Sequence, residues 1–191
     1  MKKDIFEQIT EDYFRKLGYF TVGNERYKPA GVGVNSDIDV LAMHPLSNDL
    51  VVVSCKGWQS GINIREILET LKTNPDKIIR GGTFRKRLRE IADEDSAKEL
   101  KKKVYSLTGK DSFTFYLSVV DYKGNKDDFE NFYLFKKNLP NCDIKIITFR
   151  NMIEFLDLNK TTTPSHSDII HILQLLKAAK GEIIFKEIIQ P

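Results

Sequence analysis

A chain of 191 residues, 41% hydrophobic and 30% charged, is long enough to bury one sizeable core, and its mixed composition excludes fibrous and disordered classes. Its formal charge of +3 is too small for bulk charge to confer nucleic-acid affinity, so any such affinity must come from a local concentration of cations. No apolar run approaches the roughly 18 residues of a membrane span, and the charged N-terminus lacks a signal-peptide core, so a cytoplasmic protein is expected.

Ile5, Phe6, Ile9, Tyr13 and Leu17 form one helical stripe, which predicts an amphipathic helix over 3–17 ended by Gly18. Tyr19 to Val22 reads as a short strand, and the glycine-rich 23–36 as a loop. Gly31-Val-Gly33 lacks the third glycine of a dinucleotide fingerprint and precedes a strand, which rejects that reading. Residues 37–43 alternate as a strand, with Asp37, Asp39 and Leu41 on one face and Ile38, Val40 and Ala42 on the other. A turn at 44–49 leads to a second, antiparallel strand over 50–56, whose continuous valines predict burial on both faces. Cys55 and Cys142 read as lone thiols, with no zinc spacing to the isolated His44, His166 and His171.

A helix is predicted over 62–72, and a further charge-rich helical stretch over 76–103, interrupted near Gly81-Gly82. Residues 113–120 read as a strand, 121–131 as a polar loop and 132–137 as ambiguous between helix and strand. A strand over 143–149 and a short helix over 151–156 follow. Ser167 is placed to cap a helix that runs to about Ala179, and the last ten residues are read as a small strand. This order predicts an α/β sandwich with a mixed central sheet. Its core spans 1–160, and 161–191 is a helical extension of the same domain.

The chemistry concentrates between Ser36 and Glu69. Adjacent antiparallel strands bring Asp39 near Lys56 despite their sequence separation. A carboxylate with an ammonium group at a strand end suits phosphodiester hydrolysis. The carboxylate holds a hard divalent ion, and the cation orients the nucleophile or offsets charge building on phosphorus. Asp37 and Ser54 lie near this pair, and Trp58 and Gln59 follow the lysine in a loop. The FRKRLR run at 84–89 is the densest basic cluster. Lys77, Arg80, Arg85, Lys86, Arg87 and Arg89 are therefore candidate phosphate contacts.

Five features stand in an order that resembles the PD-(D/E)XK nuclease superfamily, most closely its Mrr-type restriction endonuclease branch. They are Phe6-Glu7, Gly18-Tyr19, the Gly31–Gly33 loop, Asp37-Ile38-Asp39 and Val53-Ser54-Cys55-Lys56. The resemblance covers residues 5 to about 70. It implies a restriction-endonuclease-like fold and Mg²⁺-dependent cleavage of DNA, with Mn²⁺ as a substitute. Asp39 and Lys56 become core catalytic residues, and Glu7 an additional carboxylate near the metal. A homodimer cutting both strands is the arrangement the resemblance implies.

One departure concerns the second acid, which the superfamily places two residues before the lysine. Here that residue is Ser54, which cannot carry a carboxylate's charge. Some members with serine or alanine there take the glutamate from the following helix. Glu69, with twelve residues between it and Lys56, falls in that place, with Glu66 as a rival. The expected metal ligands are thus Asp39, Glu69 and Glu7. The competing expectation is a nucleic-acid-binding module that kept the fold and lost the chemistry. A third is a repair or recombination nuclease acting on branched DNA or RNA.

Overall fold

The computed structural model describes residues 4–28, 36–76, 88–158 and 167–180. Helix α1 (Ile5–Lys16) begins at Asp4, whose side chain accepts the Phe6 N–H. Strands β1 (Phe20–Tyr27), β2 (Ser36–Met43) and β3 (Leu50–Lys56) follow as an antiparallel meander. Next come β4 (Ile62–Asn63), α2 (Ile64–Thr73), a helical segment over 88–92 and α3 (Glu94–Thr108). Then come β5 (Thr114–Val119), β6 (Tyr122–Lys123), α4 (Lys126–Glu130) and α5 (Tyr133–Asn138). The chain continues through β7 (Asp143–Thr148), α6 (Phe149–Leu158) and α7 (Asp168–Lys180).

The main sheet has the order β1-β2-β3-β5-β7, antiparallel as far as β3 and parallel from β3 to β7. It is the mixed sheet expected from the sequence. Parallel neighbours need long crossovers. The crossover from β3 to β5 contains α2, residues 88–92 and α3, and that from β5 to β7 contains α4 and α5. These elements cover one face of the sheet, where Leu41, Val52, Phe115, Leu117 and Ile144 pack against Leu68, Ile91, Leu100 and Phe135. Helices α1, α6 and α7 cover the other face, through Phe6, Ile9, Phe14, Met152 and Leu173. Both cysteines are free thiols.

Several boundaries differ from the sequence reading, each for a tertiary reason. Strand β1 runs on to Tyr27 through part of the expected loop, because Glu25, Arg26 and Tyr27 pair with Ile38, Asp37 and Ser36. The expected helix at 62 starts two residues later. Ile62 and Asn63 instead form a parallel bridge to Tyr122 and Lys123, and the Asn63 side chain caps α2. The stretch read as a polar loop over 121–131 therefore holds both β6 and α4. The ambiguous 132–137 is helical, with Phe135 buried. The charge-rich stretch breaks at Asp93, which caps α3, and α3 continues to Thr108 before Gly109 ends it in the left-handed conformation. The start of the expected extension, 161–166, and the expected terminal strand lie outside the described residues.

Alternation along β2 also breaks. Val40 and Ala42 face α1, whereas Ile38 joins Leu41 on the opposite face. The change of face falls at Asp39. Opposite it in the β1 register stands Asn24, in the left-handed region at φ 59°.

Gly61 holds the turn that joins β3 to β4. Its φ is +64°, and a Cβ built on it lies 2.4 Å from the Asp121 carbonyl oxygen. Gly61→Ala is expected to cost about 2 kcal/mol or more, seen as a lower urea midpoint. An unchanged midpoint would show that the Asp121 backbone yields freely.

Candidate active site

The β2–β3 ladder ends at the Val40–Val53 rung. Beyond it the strands part, and the Asp39 carboxylate occupies the gap, its Oδ2 accepting the Cys55 N–H at 2.5 Å. This charge-assisted bond fixes the carboxylate beside the residue that precedes Lys56. Strand β3 continues along its other edge, where Ser54, Cys55 and Lys56 pair with Leu117, Ser118 and Val119 of β5. The alternation of β3 points Ser54 and Lys56 to the same face.

On that face they meet a residue that the sequence reading did not single out. Glu90 Oε1 accepts hydrogen bonds from Ser54 Oγ at 3.2 Å and from Lys56 Nζ at 3.3 Å. The Lys56 and Glu90 side chains are only 13% and 10% exposed. Glu90 belongs to the helical segment 88–92, whose Leu88, Ile91 and Ala92 are buried in the core. The Ile91 carbonyl accepts the Asn138 side-chain amide at 2.9 Å, which ties this segment to α5. In sequence, Glu90 is one acid within a mixed-charge stretch. The only hint of its role is the apolar pattern of Leu88, Ile91 and Ala92 around it.

Glu69 stands elsewhere. Helix α2 buries Ile64, Ile67, Leu68 and Leu71. A residue at 69 falls on the outward arc of that stripe. Its side chain is 61% exposed and accepts from Arg65 Nε at 2.9 Å. The structure thus puts Glu90 rather than Glu69 beside Ser54 and Lys56. Glu66 is also exposed, in the first turn of α2. Glu7, on α1, is half-buried and acts electrostatically on both Asp39 and Cys55. Asp37 pairs with Arg26 across the β1–β2 ladder, at 3.8 Å, and Gln59 lies on an exposed turn.

The electrostatics follow from this crowding. Burial pushes the Asp39 carboxyl up to about 7, and the Glu7 and Glu90 charges add to the rise against the opposing pull of Lys56 and the Cys55 N–H. Burial pulls Lys56 down, but the Glu90 and Asp39 charges overcome this and hold it above its ordinary value. Tyr27, a second residue missed in the sequence, is buried on β1 opposite Ser36. Burial, with the Glu90 charge, pushes its phenol well up against the opposing pull of the Ser36 hydroxyl. Arg89 is half-buried, its Nη2 donating to Ser36 Oγ at 3.2 Å. The other basic candidates, Lys77, Arg80, Arg85, Lys86 and Arg87, lie outside the described residues.

Asp39 and Glu90 thus act on one ammonium group, and Glu7 acts on Asp39, so the site gathers carboxylate oxygens. Among the described residues, no three Asp, Glu, His or Cys side chains converge closely enough to enclose a metal by themselves. Mg²⁺ does not need that. It is ordinarily held by one or two carboxylates and keeps several waters. The oxygen donors present fit such an ion.

Residues 1–89 match the Mrr_cat family, described as restriction endonuclease. The match agrees with the Mrr-type resemblance carried by the sequence motifs, and the mixed five-stranded sheet flanked by helices agrees with its fold. It ends one residue before Glu90. Comparison with curated proteins and with solved structures returns no match. No helix among the described residues is long and apolar enough to cross a membrane.

The raised Asp39 predicts a pH dependence in metal-free protein. A carboxyl group that holds its proton more tightly when folded than when unfolded stabilises below its ordinary value of 3.8. That contribution is lost as pH rises toward about 7. Asp39→Asn keeps an oxygen for the Cys55 N–H but removes this loss. Relative to wild type, the variant is expected to gain roughly 2–3 kcal/mol between pH 5 and pH 8 in denaturation with a chelator present. Parallel pH profiles for the two proteins would refute the assignment.

Proposed function

We propose, from the restriction endonuclease match over residues 1–89 and the grouping of Asp39, Lys56 and Glu90, that this protein is a metal-dependent endodeoxyribonuclease. The observation that carries the proposal is Glu90. It supplies, from a separate helix, the carboxylate that Ser54 lacks, and it binds both Ser54 and Lys56.

Asp39 and Glu90, with Glu7, would hold a Mg²⁺ or Mn²⁺ ion. Such an ion supplies Lewis acidity toward the scissile phosphate and toward an attacking water. Lys56 is held protonated by its two carboxylate neighbours, so it serves as a cation rather than as a general base. Its ammonium orients the nucleophile and offsets charge developing on phosphorus. The Cys55 N–H fixes the rotation of the Asp39 carboxylate. Ser54 holds Glu90 in register with the lysine.

The substrate in this reading is DNA, cut in a restriction or repair setting in the cytoplasm, with a homodimer serving both strands. Arg89 and the basic run from Lys77 to Arg87 would contact the phosphate backbone. The binding-module alternative has one observation in its favour: no three ligating side chains converge among the described residues.

Cleavage of supercoiled and branched DNA with Mg²⁺ or Mn²⁺ separates these readings. Asp39→Ala, Lys56→Ala and Glu90→Gln are each expected to lower the rate by about 10²-fold or more. Glu69→Ala should stay within about twofold of wild type, because its charge is solvated and paired on the helix surface. Normal cleavage by Glu90→Gln would remove Glu90 from the site. A wild type that neither cuts nor binds either ion by calorimetry would favour the binding module.

A further inference from the structure

Two hydroxyls lie at the bottom of the apolar layer where α1 packs on the sheet. Thr10 of α1 and Ser118 of β5 are both fully buried. A buried hydroxyl is costly unless it is hydrogen-bonded, and Thr10 is bonded to capacity. Its single proton goes to the Phe6 carbonyl at 2.9 Å. With that proton committed, its lone pairs accept the Ser118 hydroxyl at 3.2 Å and the Cys55 thiol at 3.5 Å. Valine has nearly the same shape and would need none of these partners.

The residue that Thr10 reaches on β3 is the one whose N–H is accepted by Asp39 Oδ2. Cys55 is therefore held at two ends, by Asp39 at its main chain and by Thr10 at its side chain. The alternation of β3 puts the Cys55 side chain on the α1 face, opposite Ser54 and Lys56. Glu7 precedes Thr10 by three residues, so the two are neighbours on the surface of α1. The Glu7 charge acts on Asp39 and on Cys55. Apolar packing of Phe6 and Ile9 holds α1 down but is non-directional, whereas hydrogen bonds fix distance and angle. The Thr10 contacts thus set the rotation and height of the turn that carries Glu7.

We infer that Thr10 is a positioning residue: through Cys55 and Ser118 it fixes the Glu7 carboxylate beside Asp39, within reach of the ion that Asp39 and Glu90 would hold. The inference rests on the nuclease reading for that ion. Thr10 is buried beneath the helix and acts only through Glu7.

Calorimetry with Mn²⁺ on the full chain tests this, comparing wild type, Thr10→Val, Thr10→Ser, Glu7→Gln and the Thr10→Val, Glu7→Gln double variant. Thr10→Val is expected to weaken binding about tenfold. Thr10→Ser keeps the hydroxyl and should bind within about twofold of wild type. The double variant should bind no more weakly than Glu7→Gln, because both changes remove the same interaction. Ser118→Ala releases Thr10 from the β5 side and carries the same expectations, so it decides the matter if Thr10→Val does not fold. Wild-type affinity in Thr10→Val, or effects that add in the double variant, overturns the inference. Plasmid cleavage by the same preparations keeps the two claims apart. Wild type that binds and cuts, with Thr10→Val unchanged, sinks the positioning role and leaves the nuclease. Mn²⁺ binding with the Thr10–Glu7 coupling but no cleavage sustains the positioning role in a module that kept the ion and lost the chemistry. Wild type that binds no Mn²⁺ overturns both.

Discussion

The Asp39 carboxylate accepts the Cys55 N–H at the point where β2 and β3 separate, and the rest of the site is arranged around that bond. A strand that leaves its neighbour exposes a backbone donor, and a buried donor without an acceptor is costly. Here a side chain takes the place of the missing rung. The same bond turns one carboxylate oxygen toward the backbone of Cys55 and sets the carboxyl group beside Lys56. The parting of the strands also explains why Ile38 and Leu41 share a face although their spacing is odd. It further accounts for the left-handed Asn24 opposite Asp39, since β1 must follow a strand that changes face there.

Glu90 makes the site depend on tertiary docking. An acid on β3 would be aligned with Lys56 by the strand itself. An acid on the segment 88–92 is aligned only because Leu88, Ile91 and Ala92 are buried in the core and Asn138 holds the Ile91 carbonyl. Hydrophobic packing on the crossover therefore positions a charge. Breaking one partner of such a buried pair leaves the other uncompensated, so Lys56 and Glu90 depend on each other for stability as well as for geometry.

The opposite face is tied to the site through α1. Thr10, whose hydroxyl donates to the Phe6 carbonyl, lies 3.2 Å from Ser118 Oγ and 3.5 Å from Cys55 Sγ. Glu11 accepts from Arg15 and Thr21 and so joins α1 to β1. Helix α1 thus grips β1, β3 and β5 at once and carries Glu7 toward Asp39 from the side away from Glu90. Helix α7 packs on the same layer through Leu173, and Ser167 at its start donates to Asp12 of α1.

Much of this was legible in the chain. The stripe of Ile5, Phe6, Ile9 and Tyr13, the apolar residues of 38–42 and the valine run before Lys56 are local patterns. These patterns marked α1, β2 and β3, the short turn between the two strands set Asp39 near Lys56, and the order of elements pointed to the mixed sheet. The motif order also pointed to the family that residues 1–89 match. Three features were decided only by the tertiary structure. Strand β1 extends through a glycine-rich segment because β2 supplies its partners. Residues 62–63 and 122–123 become strands because they meet across a turn that only Gly61 permits. The acid beside Ser54 is Glu90 rather than Glu69, since on α2 the apolar stripe turns position 69 outward to solvent, whereas the buried stripe on 88–92 turns position 90 toward the lysine. Spacing from Lys56 records distance along the chain. Which face of a distant helix reaches that lysine is set by how the helix docks, and that is a property of the whole core.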